Sequence, residues 1–65
     1  SKDDPSIATT EFCLGVLYQQ TKKYDKAEPL LADSLRIRTK ALGANDPSTQ
    51  QTKQLHDQVK AKVKN

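Results

Sequence analysis

The residues of this chain that could do chemistry are few and scattered. Cys13 is the only cysteine and His56 the only histidine among 65 residues. A lone cysteine cannot close a disulfide within the chain. One thiol and one distant imidazole do not make a metal-ligand set. Cys13 reads as a buried small hydrophobe, with a reactive thiol as the lesser alternative. His56 stands beside Asp57, which suggests an acid–base pair. Adjacent helical residues point in different directions, however, so the two are not preorganised for proton transfer. His56 is therefore expected at the surface. No nucleophile motif, paired carboxylates, glycine-rich phosphate loop or zinc spacing occurs. The sequence points away from an enzyme and asks for no cofactor and no metal.

Charge offers a second candidate chemistry. Residues 1–52 hold seven Lys/Arg and seven Asp/Glu, which cancel, and the net charge of +3 arises in 53–65. There Lys53, Lys60, Lys62 and Lys64 face only Asp57. Such a tail could touch nucleic acid or an acidic lipid surface. No aromatic residue lies among the lysines, so a stacking platform for single strands is missing. The preferred reading is a solvated helix face, with nucleic acid not among the expected partners.

The rest of the composition bounds the architecture. A chain this short buries only about 60% of its unfolded surface, so its core is small. Without disulfide or metal, regular helix packing and neighbouring elements must supply stability. No run approaches the roughly 18 apolar residues of a membrane span. Ser1-Lys2-Asp3-Asp4-Pro5 has no apolar stretch of the kind a signal peptide carries. With a free cysteine, these features lead to the expectation of a cytoplasmic chain without a membrane partner.

A repeat organises the elements. Asp4-Pro5-Ser6 recurs as Asp46-Pro47-Ser48, an offset of 42 residues, and Thr10 matches Thr52 in the same register. Asp before Pro is a helix-start signal. The carboxylate accepts from free backbone N–H groups, and proline loses nothing at the first helical position. The expected fold is all-α, a single unit over 1–65. A helix over about 5–20 and another over about 25–42 form an antiparallel hairpin, and a third over about 47–63 follows. Ile7, Thr10, Leu14, Leu17 and Tyr18 make one stripe of the first helix, while Phe12, Cys13 and Val16 fall on other faces. Asp25 with Glu28 suggests a capping box for the second helix, with Tyr24 as its hydrophobic staple and Pro29 near the first turn. Its expected stripe is Ala27, Leu30, Leu31, Ser34, Leu35, Arg38, Ala41 and Leu42. Gly43 is expected to end it in the left-handed conformation. Thr52, Leu55, Val59 and Val63 give the third helix one narrow apolar side, which suits a terminal cap.

These residues together resemble the tetratricopeptide repeat. Leu14-Gly15, Tyr18, Ala27 and Leu31 carry the pattern. The strings Leu17-Tyr18-Gln19-Gln20, Lys23 to Leu30 and Arg36 to Gly43 resemble its 42-residue, kinesin-light-chain-like form. The resemblance implies that Gly15 and Ala27 are small because two helices cross closely there. It also shows departures. Glu11 stands at the frequent Trp position, Phe12-Cys13 replace an Asn-Asn pair, and Thr39 stands where the 34-residue form has Pro. In the third helix Asp57 and Lys60 take the Gly and Tyr positions, so that helix resembles a degenerate first helix turned into a cap, the end of an α-α superhelix.

The resemblance further implies a concave groove that holds a protein or peptide partner. By position its residues are Thr9, Phe12, Val16 and Gln19 on the first helix and Gln51, Gln54, Gln58 and Lys62 on the third. A clamp for a terminal carboxylate would need Lys and Asn where Phe12 and Val16 stand. Two functions follow as expectations. One is an interaction module, the C-terminal end of a longer array acting as scaffold or adaptor. The other is self-association into a homodimer or oligomer through the exposed face of the first helix.

Overall fold

The computed structural model describes residues 4–63, so Lys64 of the basic tail and the residues before Asp4 lie outside the described part. Three helices form: α1 (Pro5–Gln20), α2 (Tyr24–Leu42) and α3 (Pro47–Val63). No strand occurs among the described residues. Both start signals work in the same way. Asp4 Oδ1 accepts the Ser6 backbone N–H at 2.8 Å and the Ser6 hydroxyl at 2.7 Å. These bonds lower the Asp4 pKa, because they favour the ionised carboxylate. Asp46 Oδ1 accepts the Ser48 N–H at 2.9 Å.

The first turn is tighter than its polar composition suggests. Lys23 N–H bonds the Tyr18 carbonyl at 2.8 Å and Lys22 N–H the Gln19 carbonyl at 3.1 Å. This is a Schellman closure, with Lys22 at φ 64° in place of the usual glycine. The closure brings α2 in at Tyr24, so the capping box expected at Asp25 does not form. Lys23 takes the cap position without a side-chain bond, and Asp25 sits in the first turn, where a negative charge suits the helix dipole. Glu28 is drawn away to His56. Tyr24 is the first helical residue and packs on the core rather than stapling the entry. Pro29 lies inside α2, past its first turn. At the far end Gly43 has φ 89° and ψ 158°, positive in φ as expected. It is extended rather than left-handed helical in ψ, a region open essentially to glycine alone.

The packing pairs run in opposite directions along neighbouring helices, which makes both α1–α2 and α2–α3 antiparallel. Ser34 Oγ donates to the Ala8 carbonyl at 2.8 Å in the buried α1–α2 seam. Further along, a Cβ added to Gly15 would lie 2.6 Å from both Cγ and Cδ2 of Leu31. Leu31 thus occupies the space that any side chain at position 15 would need. Ala27, Leu31 and Val59 are fully buried, with Phe12, Tyr18, Tyr24 and Leu55 packed around them. The middle helix therefore carries the core.

This packing rotates two predicted stripes. On α1 the buried positions are Ala8 and Gly15, while Leu14 and Leu17 stay 40% and 54% exposed. Cys13 is exposed rather than buried. The small residues face α2 because the helices touch there, while Leu14 and Leu17 face outward. On α2, Ile37 is buried, whereas Ala41 and Leu42 are exposed. On α3, Thr52 and Val59 are buried and Leu55 half-buried, but Val63 is 44% exposed.

Glu11 introduces a cost into the α1–α2 seam. Its Oε1 is buried without a hydrogen-bond partner. Burial, then the hydrogen bond and the charge of Asp33, push its carboxyl up to about 7, with Arg36 pulling the other way. Asp33 itself is held by Arg36 at 2.8 Å on the surface. A protonated Glu11 relieves the repulsion, so the fold favours the neutral acid.

Two outcomes follow. Gly15→Ala should destabilise the chain by about 1–3 kcal/mol through overpacking on Leu31. That loss should exceed the helix-propensity gain of about 1 kcal/mol. Urea unfolding checks it, and an unchanged midpoint would mean that the crossing is looser than described. Glu11 contributes most below its ordinary value of 4.5, and that contribution is lost as pH rises through about 7. Glu11→Gln should flatten stability across this window and raise the thermal midpoint at pH 8. A variant that keeps the wild-type pH slope would remove Glu11 as its cause.

Candidate functional site

The element order places α1 and α3 on either side of α2, and a groove opens between them. Its volume is about 410 Å³, and Phe12, Val16, Gln51, Gln54, Leu55 and Gln58 line it. Five of the eight residues expected in a concave groove thus meet in one place. Gln19 and Lys62 line an adjoining depression of about 360 Å³ that shares Gln58 with it. Thr9 lies apart. It borders a smaller hollow of about 160 Å³ with Pro5, Ile37 and Arg38, and its hydroxyl donates to the Pro5 carbonyl at 3.3 Å.

The two walls differ in chemistry. Phe12, Val16 and Leu55 are half-buried and apolar, and they present area for a ligand's side chains. Gln51, Gln54 and Gln58 are exposed along α3. Their spacing of three and four residues keeps them on one face and spreads them over roughly 10 Å at 1.5 Å per residue. Each amide both donates and accepts, so the row can pair with successive peptide groups. Another depression of about 510 Å³ lies between the second half of α2, the connecting loop and α3. Of the expected residues only Gln54 reaches it.

Arg38 holds the groove in shape, and it was expected only to lay its stem along the surface. Its guanidinium carbon sits 4.7 Å from the centroid of the Phe12 ring. Its Nη1 donates to Thr52 Oγ1 at 2.8 Å. Thr52 in turn donates to the Ser48 carbonyl at 2.8 Å, and Thr49 donates to the Arg38 carbonyl at 3.2 Å. One side chain therefore ties all three helices. A cation over an aromatic face is worth about 0.5–2 kcal/mol, depending on its exposure. A cation inside an otherwise apolar stripe was the signal in the sequence that could have found it.

The isolated reactive residues also find their places. His56 is not a surface residue: its side chain is 13% exposed, and Nε2 lies 2.7 Å from Glu28 Oε2. Asp57 stands 3.9 Å from Nδ1 and is largely exposed. The partner comes from across the α2–α3 seam, which neighbours in sequence could not reveal. This pair lies between packed helices, away from the groove walls. No group of three metal-ligating side chains occurs among the described residues. No helix is long and apolar enough to cross a membrane.

Comparison with known proteins gives one match. The family model described as tetratricopeptide repeat covers residues 13–48. That stretch takes in the second half of α1, all of α2 and the start of α3. Neither the curated proteins nor the solved structures give a match. The matched stretch exceeds half of the 65 residues and includes both sides of the Gly15–Leu31 crossing. The chain belongs to the tetratricopeptide repeat family, whose repeats mediate protein–protein interaction and are non-catalytic modules.

Proposed function

We propose that this chain is the C-terminal end of a longer array of 42-residue, kinesin-light-chain-like repeats, acting as a scaffold or adaptor in the cytoplasm. Its ligand is a peptide or a partner helix held between α1 and α3. The observation that carries the reading is the two-walled groove, with Phe12 and Val16 of α1 on one side and Gln51, Gln54, Leu55 and Gln58 of α3 on the other.

The end position is supported by comparing α3 with α1 in the 42-residue register. Ala8 and Gly15 of α1 are buried against α2. Their counterparts Gln50 and Asp57 are exposed, as are Lys53 and Lys60 at the Glu11 and Tyr18 positions. No close crossing like that at Gly15 is open to Asp57. The side of α3 that would receive a following helix is polar, which keeps an array end soluble.

A second reading rests on the exposure of Leu14 and Leu17. Two copies could cover these faces for one another. Light scattering at the highest soluble concentration tests it. A dimer lost on Leu17→Lys supports self-association, and a folded monomer excludes it.

The groove itself is tested with displayed peptides selected on the 65-residue chain. Gln54→Lys with Gln58→Lys should weaken selected peptides about tenfold or more, the effect of one or two lost hydrogen bonds. Lys53→Gln, outside the groove, should leave them unchanged. Binders indifferent to the glutamine pair would place the ligand elsewhere.

A further inference from the structure

The positive charge that the sequence places in residues 53–65 is joined in three dimensions by lysines from elsewhere. Glu28 of α2 pairs with His56 of α3 at 2.7 Å, and Gly15 of α1 lies against Leu31 of α2. Counted outward from these pairings at about 1.5 Å per residue, three segments reach one end of the bundle together. They are the turn after α1, the first turn of α2 and the last turn of α3. Lys22 and Lys23 stand in the first, Lys26 in the second, and Lys60 and Lys62 in the third. All five are exposed, and none is ion-paired among the described residues. Asp25 is the acid at the same level. Asp57 lies about a turn further in, 3.9 Å from His56 Nδ1.

Three of these lysines stand where local structure favours something else. Lys22 holds φ 64°, a conformation that glycine or asparagine adopts at less cost. Lys23 takes the cap position of α2 and Lys26 its first turn, where the helix dipole disfavours positive charge. Lys60 and Lys62 do suit their helix end. Helix preference thus accounts for the lysines of α3 and leaves those of the turn without a local reason.

Their arrangement selects the shape of the partner. Lys60 and Lys62 are two positions apart, so they leave α3 on different sides. Lys62 borders the depression with Gln19 and Tyr24, and Lys60 does not. Lys22, Lys23 and Lys26 add the side of the turn and α2. An acidic peptide or a nucleic-acid strand lying along one side meets only part of this set. A plane laid across the end meets all of it. The bundle measures 31 × 22 × 15 Å, and α2 is about 28 Å long, so the end is a face of 22 × 15 Å. Val63, 44% exposed, closes α3 on that face and offers it an apolar side chain. We infer that this end of the bundle docks on the acidic headgroups of a lipid bilayer, with Lys22, Lys23, Lys26, Lys60 and Lys62 turned to the surface. Lysine suits such a plane, because its point charge needs no bidentate partner. None of the five lines the groove between Phe12 and Gln54, so peptide binding and this docking are separate properties.

The test is co-sedimentation of the whole chain with vesicles of two parts phosphatidylcholine to one part phosphatidylserine. Vesicles of phosphatidylcholine alone and a DNA duplex of mixed sequence serve as comparisons. The chain should sediment with the acidic vesicles at low salt, not with the neutral ones, and added salt should release it. A lysine near an acidic surface is worth about fivefold in affinity. Lys23→Gln with Lys26→Gln should therefore weaken binding on the order of 25-fold, and Lys60→Gln with Lys62→Gln by as much again. Lys53→Gln, two turns further in, should change it less than about twofold. Circular dichroism confirms that each variant keeps its helices. Absence of binding to the acidic vesicles at low salt overturns the docking face. A loss confined to the α3 pair also overturns it, because the tail would then act without the turn. Tighter binding to the duplex than to the vesicles gives the face to nucleic acid and overturns the lipid assignment.

Discussion

The close approach of α1 to α2 at Gly15 governs much of what surrounds it. Leu31 fills the volume that a side chain at position 15 would claim, and it does so fully buried. With the helices this near, Ser34 reaches the Ala8 carbonyl, and Phe12 and Tyr18 fold around Ala27 and Leu31. The same approach sets the rotation of α1. The helix turns its small residues inward, so Leu14 and Leu17 must face out. An exposed apolar face is then a consequence of the crossing rather than a fault in it. Isolated small domains seldom show such a face without a partner to cover it.

The middle helix carries two seams of different character. Toward α1 the contact is tight and apolar, apart from Ser34 and the strained carboxyl of Glu11. Toward α3 it is largely polar, through Arg38 with Thr52, Thr49 with the Arg38 carbonyl, and His56 with Glu28. Hydrogen bonds between buried groups add only about 0.5–1.5 kcal/mol each, but they fix register, because a shifted helix would strand them unpaired. The α2–α3 seam therefore adds alignment to the apolar contact that Val59 and Leu55 make with the core. Groove shape depends on both, since Arg38 is hydrogen-bonded to α3 and stacked on Phe12 of α1.

Much of the fold was legible along the chain because its signals are local. Asp4 and Asp46 accept from serines two residues on, Pro5 and Pro47 open their helices, and Gly43 takes positive φ. The groove was partly legible through the family resemblance, since Phe12, Val16, Gln51, Gln54 and Gln58, implied by position, line one depression. Thr9, implied by the same resemblance, lines a separate hollow with Ile37 and Arg38 of α2. The misread features involve partners far apart in sequence. His56 has Asp57 as its neighbour in sequence, but Glu28 of α2 is its partner. Cys13 was judged by its residue type, although its exposure depends on which side of α1 Gly15 presses against α2. The capping box at Asp25 gave way to a Schellman closure built on Tyr18 and Gln19.

The sequence by itself determined the class of fold, the starts of α1 and α3 and the 42-residue register. Each follows from side chains acting on backbone within a few residues, or from a pattern that repeats in one dimension. Tertiary structure decided which face of each helix is inside, which cation ties three helices together and which carboxyl is driven toward neutrality. Those outcomes depend on the distance between helix axes. That distance is set where Leu31 meets the absent side chain of Gly15, a contact between residues on different helices.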